Sequence, residues 1–130
     1  MKVLVDTSVW SLALRRNEES EIGGTLANLI VESLVVLIGP VRQELLSGIA
    51  DKTVFDNLKS KLQNFEDLNI TTRDYETAAE YFNTCRKKGV QGSHTDFLIC
   101  AVAANNDLLI YTTDKDFQNY AKHLPILLYG

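Results

Sequence analysis

The sequence predicts an α/β fold in three layers, with a central, mostly parallel sheet of about five strands, in one domain over residues 1–130. Three observations carry that expectation. Short aliphatic runs alternate with longer segments of helical apolar period along the whole chain. The run Phe97-Leu98-Ile99-Cys100-Ala101-Val102-Ala103-Ala104 contains no charge and wraps a helix in apolar side chains all round, as in a helix buried within a layered domain. No repeat, low-complexity tract or Pro/Ser-rich linker divides the 130 residues, a length that suits one domain with a proper core. Strands separated by helices pair in parallel, and such a sheet needs cover on both faces.

The elements follow in order. Residues 2–5 read as a strand, followed by helices over 8–15 and 21–32 and a strand at 34–38. Pro40 suits the first turn of the next helix, where a missing N–H costs nothing, and that helix runs to about residue 47, before Gly48. A helix over 51–64 leads to a short strand at 68–70. Thr72 is placed to cap a long helix reaching residue 88, which Gly89 stops. A helix over 95–105, a strand at 108–112, a helix over 115–122 and a strand at 126–129 complete the chain.

Four acidic residues stand where an unpaired carboxylate is expensive. Asp6 ends the run Val3-Leu4-Val5, and Asp114 follows Leu108-Leu109-Ile110-Tyr111. Glu44 lies one helical turn past the strand ending at Ile38, and Asp96 immediately precedes the uncharged helix. In open α/β sheets ligands sit at the carboxyl ends of the strands, which is where these acids fall. Together they suggest one acidic pocket, for which hard divalent cations such as Mg²⁺ or Mn²⁺ are the natural occupants. Each acid also has a structural alternative. Asp6-Thr7-Ser8 is a capping segment. Glu44 flanks the stripe of Val41, Leu45 and Ile49 and suits a helix surface. Ser93 with Asp96 three residues on resembles a capping box, and Asp114 can cap the helix that follows. Asp116 reads as solvated.

Composition narrows the function classes. With 45% hydrophobic and 23% charged residues the chain is ordinary for a soluble domain, and its longest apolar runs are far too short to span a bilayer. The N-terminus enters a strand at once, without the pattern of a signal peptide, and a cytoplasmic location is expected. Cys85 and Cys100 fall in helices without metal-type spacing and read as small buried hydrophobes. The net charge of −4 speaks at first against a nucleic-acid partner. Setting aside the four pocket acids, however, leaves 13 acidic against 13 basic side chains. Arg86-Lys87-Lys88 complements a helix C-terminus, with a phosphate contact as the alternative. His94 and His123 sit in unrelated contexts with no nucleophile pattern, and no Gly-rich phosphate loop is present.

Four segments, in order, resemble the PIN-domain family. They are Val3-Leu4-Val5-Asp6-Thr7-Ser8, Glu44-Leu45 after the second strand, Thr95-Asp96-Phe97-Leu98-Ile99-Cys100-Ala101, and Tyr111-Thr112-Thr113-Asp114-Lys115-Asp116-Phe117. The last, a strand followed by Thr-x-Asp-x-Asp-Phe, is the most specific. The length is similar to that of the stand-alone VapC-type toxins. The resemblance implies a Mg²⁺- or Mn²⁺-dependent endoribonuclease that hydrolyses RNA and is inhibited by a small antitoxin protein. Asp6, Glu44, Asp96 and Asp114 would be its catalytic and metal-holding quartet, Thr112 the supporting hydroxyl, and Ser8 and Asp116 lesser members. Cys100 stands where the family more often has Ala, a packing change. The helices over 8–15 and 21–32 offer Trp10, Leu12, Leu14, Leu26, Leu29 and Ile30 as a groove for a partner helix, and a homodimer is expected.

Two rival readings remain at this stage. A receiver-like or phosphatase-like phosphotransfer domain also carries acids at strand ends, but needs a second acid close after Asp6, where Thr7 and Ser8 stand. A non-catalytic module acting only by binding a partner protein is the other.

Overall fold

The computed structural model describes residues 1–15 and 20–130. Its elements are β1 (Val3–Val5), α1 (Thr7–Arg15), α2 (Glu21–Val31), β2 (Val35–Val36), α3 (Gly39–Leu46), α4 (Lys52–Leu62), α5 (Thr72–Lys87), α6 (His94–Asn105), β3 (Leu109–Tyr111), α7 (Asp116–Ala121) and β4 (Leu127–Leu128). The four strands are parallel throughout, in the order β2-β1-β3-β4. Val3 lies between Val35 and Leu109, Leu4 between Val36 and Ile110, and Val5 opposite Tyr111. Successive strand side chains point to opposite faces. Since Val3, Leu4 and Val5 are 1%, 0% and 0% exposed, both faces of the sheet are covered, and the α/β/α layering follows.

The uncharged helix is the centre of the core. Residues 97–103 of α6 are all buried, between β3 on one side and α5 on the other. The strands are shorter than the apolar runs that announced them, and in place of the strand expected at 68–70 a single bridge forms just before it. Asp67 pairs in parallel with Leu37, and the Leu68 N–H donates to the Leu37 carbonyl at 2.9 Å. Arg42 accounts for the early stop. Its Nε donates to Asp67 Oδ1 at 3.0 Å, and its other nitrogens donate to the carbonyls of Leu62 and Phe65. The connection is thereby clamped across the sheet edge, and the chain turns straight into α5.

Three helices end in the same way. Ser33, Gly89 and Asp107 adopt φ of 57°, 74° and 53°. In each case the next residue's N–H reaches back to the third-last turn carbonyl: Leu34 to Leu29, Val90 to Cys85 and Leu108 to Ala103, at 2.9–3.0 Å. Gly89 meets the left-handed requirement without a Cβ penalty, and Asp107 tolerates it through its short polar side chain. Two of these stops aim the chain into β2 and β3, the strands that flank β1.

The start of α5 differs from the sequence expectation. Thr71, not Thr72, is its cap: Thr71 Oγ1 accepts from the Asp74 N–H at 3.3 Å, and Asp74 Oδ2 accepts from the Thr71 N–H at 2.9 Å. Only this register puts an acid at the third helical position for the reciprocal bond. Asp74 is 3% exposed, and its Oδ1 also accepts from Asn105 Nδ2 at 2.8 Å, which ties α5 to the end of α6. Asp74→Ala leaves the Thr71 N–H and the Asn105 amide without this partner, so a loss of about 2 kcal/mol in urea unfolding is expected. Thr71→Ala, which removes only the cap, should cost about 1 kcal/mol.

Candidate active site

Asp6 immediately follows β1, and its N–H extends the ladder by donating to the Tyr111 carbonyl of β3 at 2.9 Å. Its side chain is 6% exposed, so the charge needs donors. Two hydroxyls supply them: Ser8 Oγ and Thr112 Oγ1 each lie 2.8 Å from Asp6 Oδ2. Each hydroxyl has one proton, and both give it to Asp6. Each then accepts from a backbone N–H, Ser8 from Thr113 and Thr112 from Asp114, at 3.0 Å in both cases. The 3.2 Å approach of Ser8 Oγ to Thr112 Oγ1 then carries no proton of its own. This cradle joins the start of α1 to the loop after β3.

Thr112 thereby positions Asp114, whose N–H it accepts. Asp114 Oδ1 in turn accepts from the Asp116 N–H at 2.9 Å, an Asx turn that leads into α7. Asp116 serves this turn through its backbone, and its side chain is exposed. Glu44 lies in the second turn of α3 and is exposed, with Oε1 accepting from Thr7 Oγ1 at 3.0 Å. Its link to the others runs through Thr7, the neighbour of Asp6.

Asp96 occupies the third position of α6. Its N–H is capped by Ser93 Oγ at 3.1 Å, and its Oδ2 accepts from the Tyr120 phenol at 2.7 Å. Burial pushes its carboxyl above the ordinary 3.8; hydrogen bonds from Tyr120 and Ser93 pull it down; the negative charges of Asp6 and Asp114 push it up again. Asp96 therefore lies within electrostatic reach of both Asp6 and Asp114. One turn further on, the Cys100 thiol is fully buried and pushed far up, by burial first and then by the Asp96 charge. Cys85 is likewise a buried free thiol, as its sequence context suggested.

Two partners in this arrangement escaped the sequence reading, Thr7 on Glu44 and Tyr120 on Asp96. The signal for Tyr120 was its place three residues after Phe117, which puts both on the apolar face of α7. A buried phenol needs an acceptor, and Asp96 is the one it finds. The histidines stay outside: His94 stacks on Phe82 at 5.2 Å and is exposed, as is His123. Arg86 and Lys87 close the last turn of α5, the helix-end role expected of them.

An acid-lined edge at the carboxyl ends of parallel strands, on an α/β/α domain, defines the class. The PIN domain model matches residues 3–123, and the chain belongs to the PIN domain family. The chain is 27% identical to ribonuclease VapC11 of Mycobacterium tuberculosis, over 92% of each chain. Its fold is similar to that of FitAcB from Neisseria gonorrhoeae, with a TM-score of 0.79, 21% identity, and coverage of 98% of this chain and 96% of that one. It is also similar to DNA-bound VapBC from Salmonella typhimurium, with a TM-score of 0.79, 16% identity, and coverage of 99% and 97%. At these identities the structural likenesses show the fold.

Asp96 yields a pH prediction. Because its folded-state pKa is raised, the native state binds the proton more tightly than the unfolded chain does. Stability should therefore fall as pH rises from the ordinary carboxyl range through the raised value, and the cost persists above it. Asn in its place keeps an acceptor for Tyr120 and carries no charge. In EDTA, Asp96→Asn should flatten that part of the melting-temperature profile and melt above wild type at neutral pH. Equal or lower stability at neutral pH with an unchanged profile contradicts the assigned burial of charge.

Proposed function

We propose that the protein is a divalent-metal-dependent endoribonuclease, the toxin of a toxin–antitoxin pair. The observation that carries this reading is the placement of Asp6 and Asp114 just after β1 and β3, linked through Thr112, with Asp96 at the start of α6 in electrostatic reach of both. The ribonuclease name of the mycobacterial relative supports it, as do toxin–antitoxin complexes among proteins of this fold.

The donor set suits Mg²⁺ or Mn²⁺: it is all oxygen, negatively charged and partly withdrawn from water. Among the described residues no three His, Cys, Asp or Glu side chains stand at ligating separation around one point. At these separations a bound ion would take one or two direct carboxylate contacts and water for the rest. Asp6, Asp96 and Asp114 would hold it, with Glu44 reaching it through water. When bound, the cation would supply an acidified water and neutralise charge on the phosphoryl oxygens.

The chain's own residues do the remainder. Ser8 and Thr112 fix the Asp6 carboxylate. The Asx turn aims Asp114. The Asp96 oxygen that Tyr120 does not engage is left free for the cation or its bound water. Attack by water breaks the bond to the leaving ribose 3′-oxygen, so cleavage leaves a 5′-phosphate and a 3′-hydroxyl.

For the partner, we infer a surface on the helices that follow β1. A groove between α1, α2 and the end of α4 is lined by Trp10, Leu14, Leu26, Ile30, Leu58 and Phe65. Leu14 and Ile30 are 44% and 37% exposed, whereas Trp10, Leu26 and Leu29, expected in the same surface, are each 4% exposed and belong to the core. The groove suits the apolar face of an amphipathic antitoxin helix, whose trailing basic residue would reach the acids. A second copy of the chain has its candidate face in the apolar trough between α5 and α6, beside Pro40 and Phe82.

Purified protein incubated with total RNA and Mn²⁺ should yield fragments with 5′-phosphates. Asp6→Asn and Asp114→Asn should lower the rate by at least about a hundredfold while keeping the wild-type fold by circular dichroism. Wild-type cutting by both would falsify the assignment. For the partner, Leu14→Asp and Ile30→Asp should abolish co-purification with the product of the adjacent small reading frame and leave RNA cleavage intact. Retention of that complex by both variants removes the groove from the proposal.

A further inference from the structure

Tyr120 is the one fully buried tyrosine among the described residues, and its hydroxyl is spent on a site acid. Its ring is held between Phe97 of α6, at 4.9 Å between centroids, and Phe117 of α7, at 5.2 Å. From the loop before α6 comes a second constraint. A Cβ on Gly92 would fall on the Tyr120 hydroxyl, 2.7 Å from Cζ and 3.0 Å from Phe97 Cε2. Gly92 does not have a left-handed φ, so the requirement there is space rather than backbone freedom.

We propose that Tyr120 is the positioning residue for the Asp96 carboxylate, and that Gly92 is glycine because the phenol fills the volume a side chain would take. The terminal torsion of an aspartate is broad and two-fold, so an unsupported carboxylate swings. The 2.7 Å bond from a ring locked by two phenylalanines fixes Oδ2, and with it the direction of the other oxygen. Second-layer donors of this kind set the orientation and strength of metal-facing ligands. The inference rests on the metal-dependent reading above, and it adds Tyr120 and Gly92 to the residues that make Asp96 competent.

The test measures Mn²⁺ affinity in the absence of RNA, from the electron paramagnetic resonance signal of the free ion, for wild type, Tyr120→Phe, Gly92→Ala and Asp96→Asn. Tyr120→Phe keeps the ring packing, so it should melt cooperatively, bind Mn²⁺ about tenfold more weakly, and lose kcat by a similar factor at unchanged KM for RNA. Gly92→Ala should move affinity in the same direction by displacing the phenol. Wild-type affinity, within about twofold, in Tyr120→Phe overturns the proposal. So does loss of its cooperative melt, since a hydroxyl that serves only position is dispensable for folding. If Asp96→Asn weakens binding and Tyr120→Phe does not, positioning fails and the metal reading stands. If wild type binds no Mn²⁺, both fall.

Discussion

Asp6 Oδ2 accepts the protons of both Ser8 and Thr112, and most of what the domain does at its acidic edge depends on that doubly occupied oxygen. Ser8 belongs to α1, which leaves the central strand β1, and Thr112 follows its neighbour β3. The contact therefore joins the carboxyl ends of two adjacent parallel strands where their ladder runs out. Each hydroxyl then uses its lone pairs on the backbone of residues 113 and 114, so the loop that carries Asp114 is fixed by the same two side chains. Charge-assisted hydrogen bonds are among the stronger polar contacts available to a folded chain. They are what makes a 6% exposed carboxylate tolerable at this position.

The same edge sets the electrostatic cost of the site. Asp6 is satisfied by neutral donors, which stabilise its charge without cancelling it. Asp96, half-buried with one phenol and one serine as partners, still feels Asp6 and Asp114 and is pushed towards its protonated form. Among the described residues, the hydrogen-bond partners of Asp6 and Asp96 include no lysine or arginine, and Arg42 is committed to Asp67. Hydroxyl donors leave the carboxylates' negative charge in place, and on the metal-dependent reading proposed above that charge is what a cation would meet. Glu44 differs in kind. It is exposed, and among the described residues its hydrogen bond to the others runs through Thr7, the neighbour of Asp6.

Residues that carry strong local rules were readable from sequence, and residues whose role depends on tertiary proximity were not. The uncharged run at 97–104 announced a buried helix because eight neighbours cover every side of a helix, and residues 97–103 are indeed all buried. The acids at strand ends were visible because strands end where apolar runs end. The segment at 68–70 misled, since Arg42 clamps Asp67 from another element and cuts the pairing to one bridge. The start of α5 was read one residue late because Thr71 and Thr72 are equally good caps until Asp74 selects between them. Tyr120 and Gly92 could not be joined to Asp96 from spacing alone. A Tyr at 120 and a Gly at 92 become neighbours of residue 96 only when α7 folds back over the start of α6.

The most direct measurement is a crystal structure of the protein soaked in Mn²⁺, with the ion located from its anomalous scattering. A peak should lie between Asp6, Asp96 and Asp114, within direct or one-water reach of all three, with the Ser8 and Thr112 contacts to Asp6 retained. A saturated crystal with ordered Mn²⁺ elsewhere, or with none, and with these three carboxylates unengaged, contradicts the assignment of this edge as the metal-binding active site.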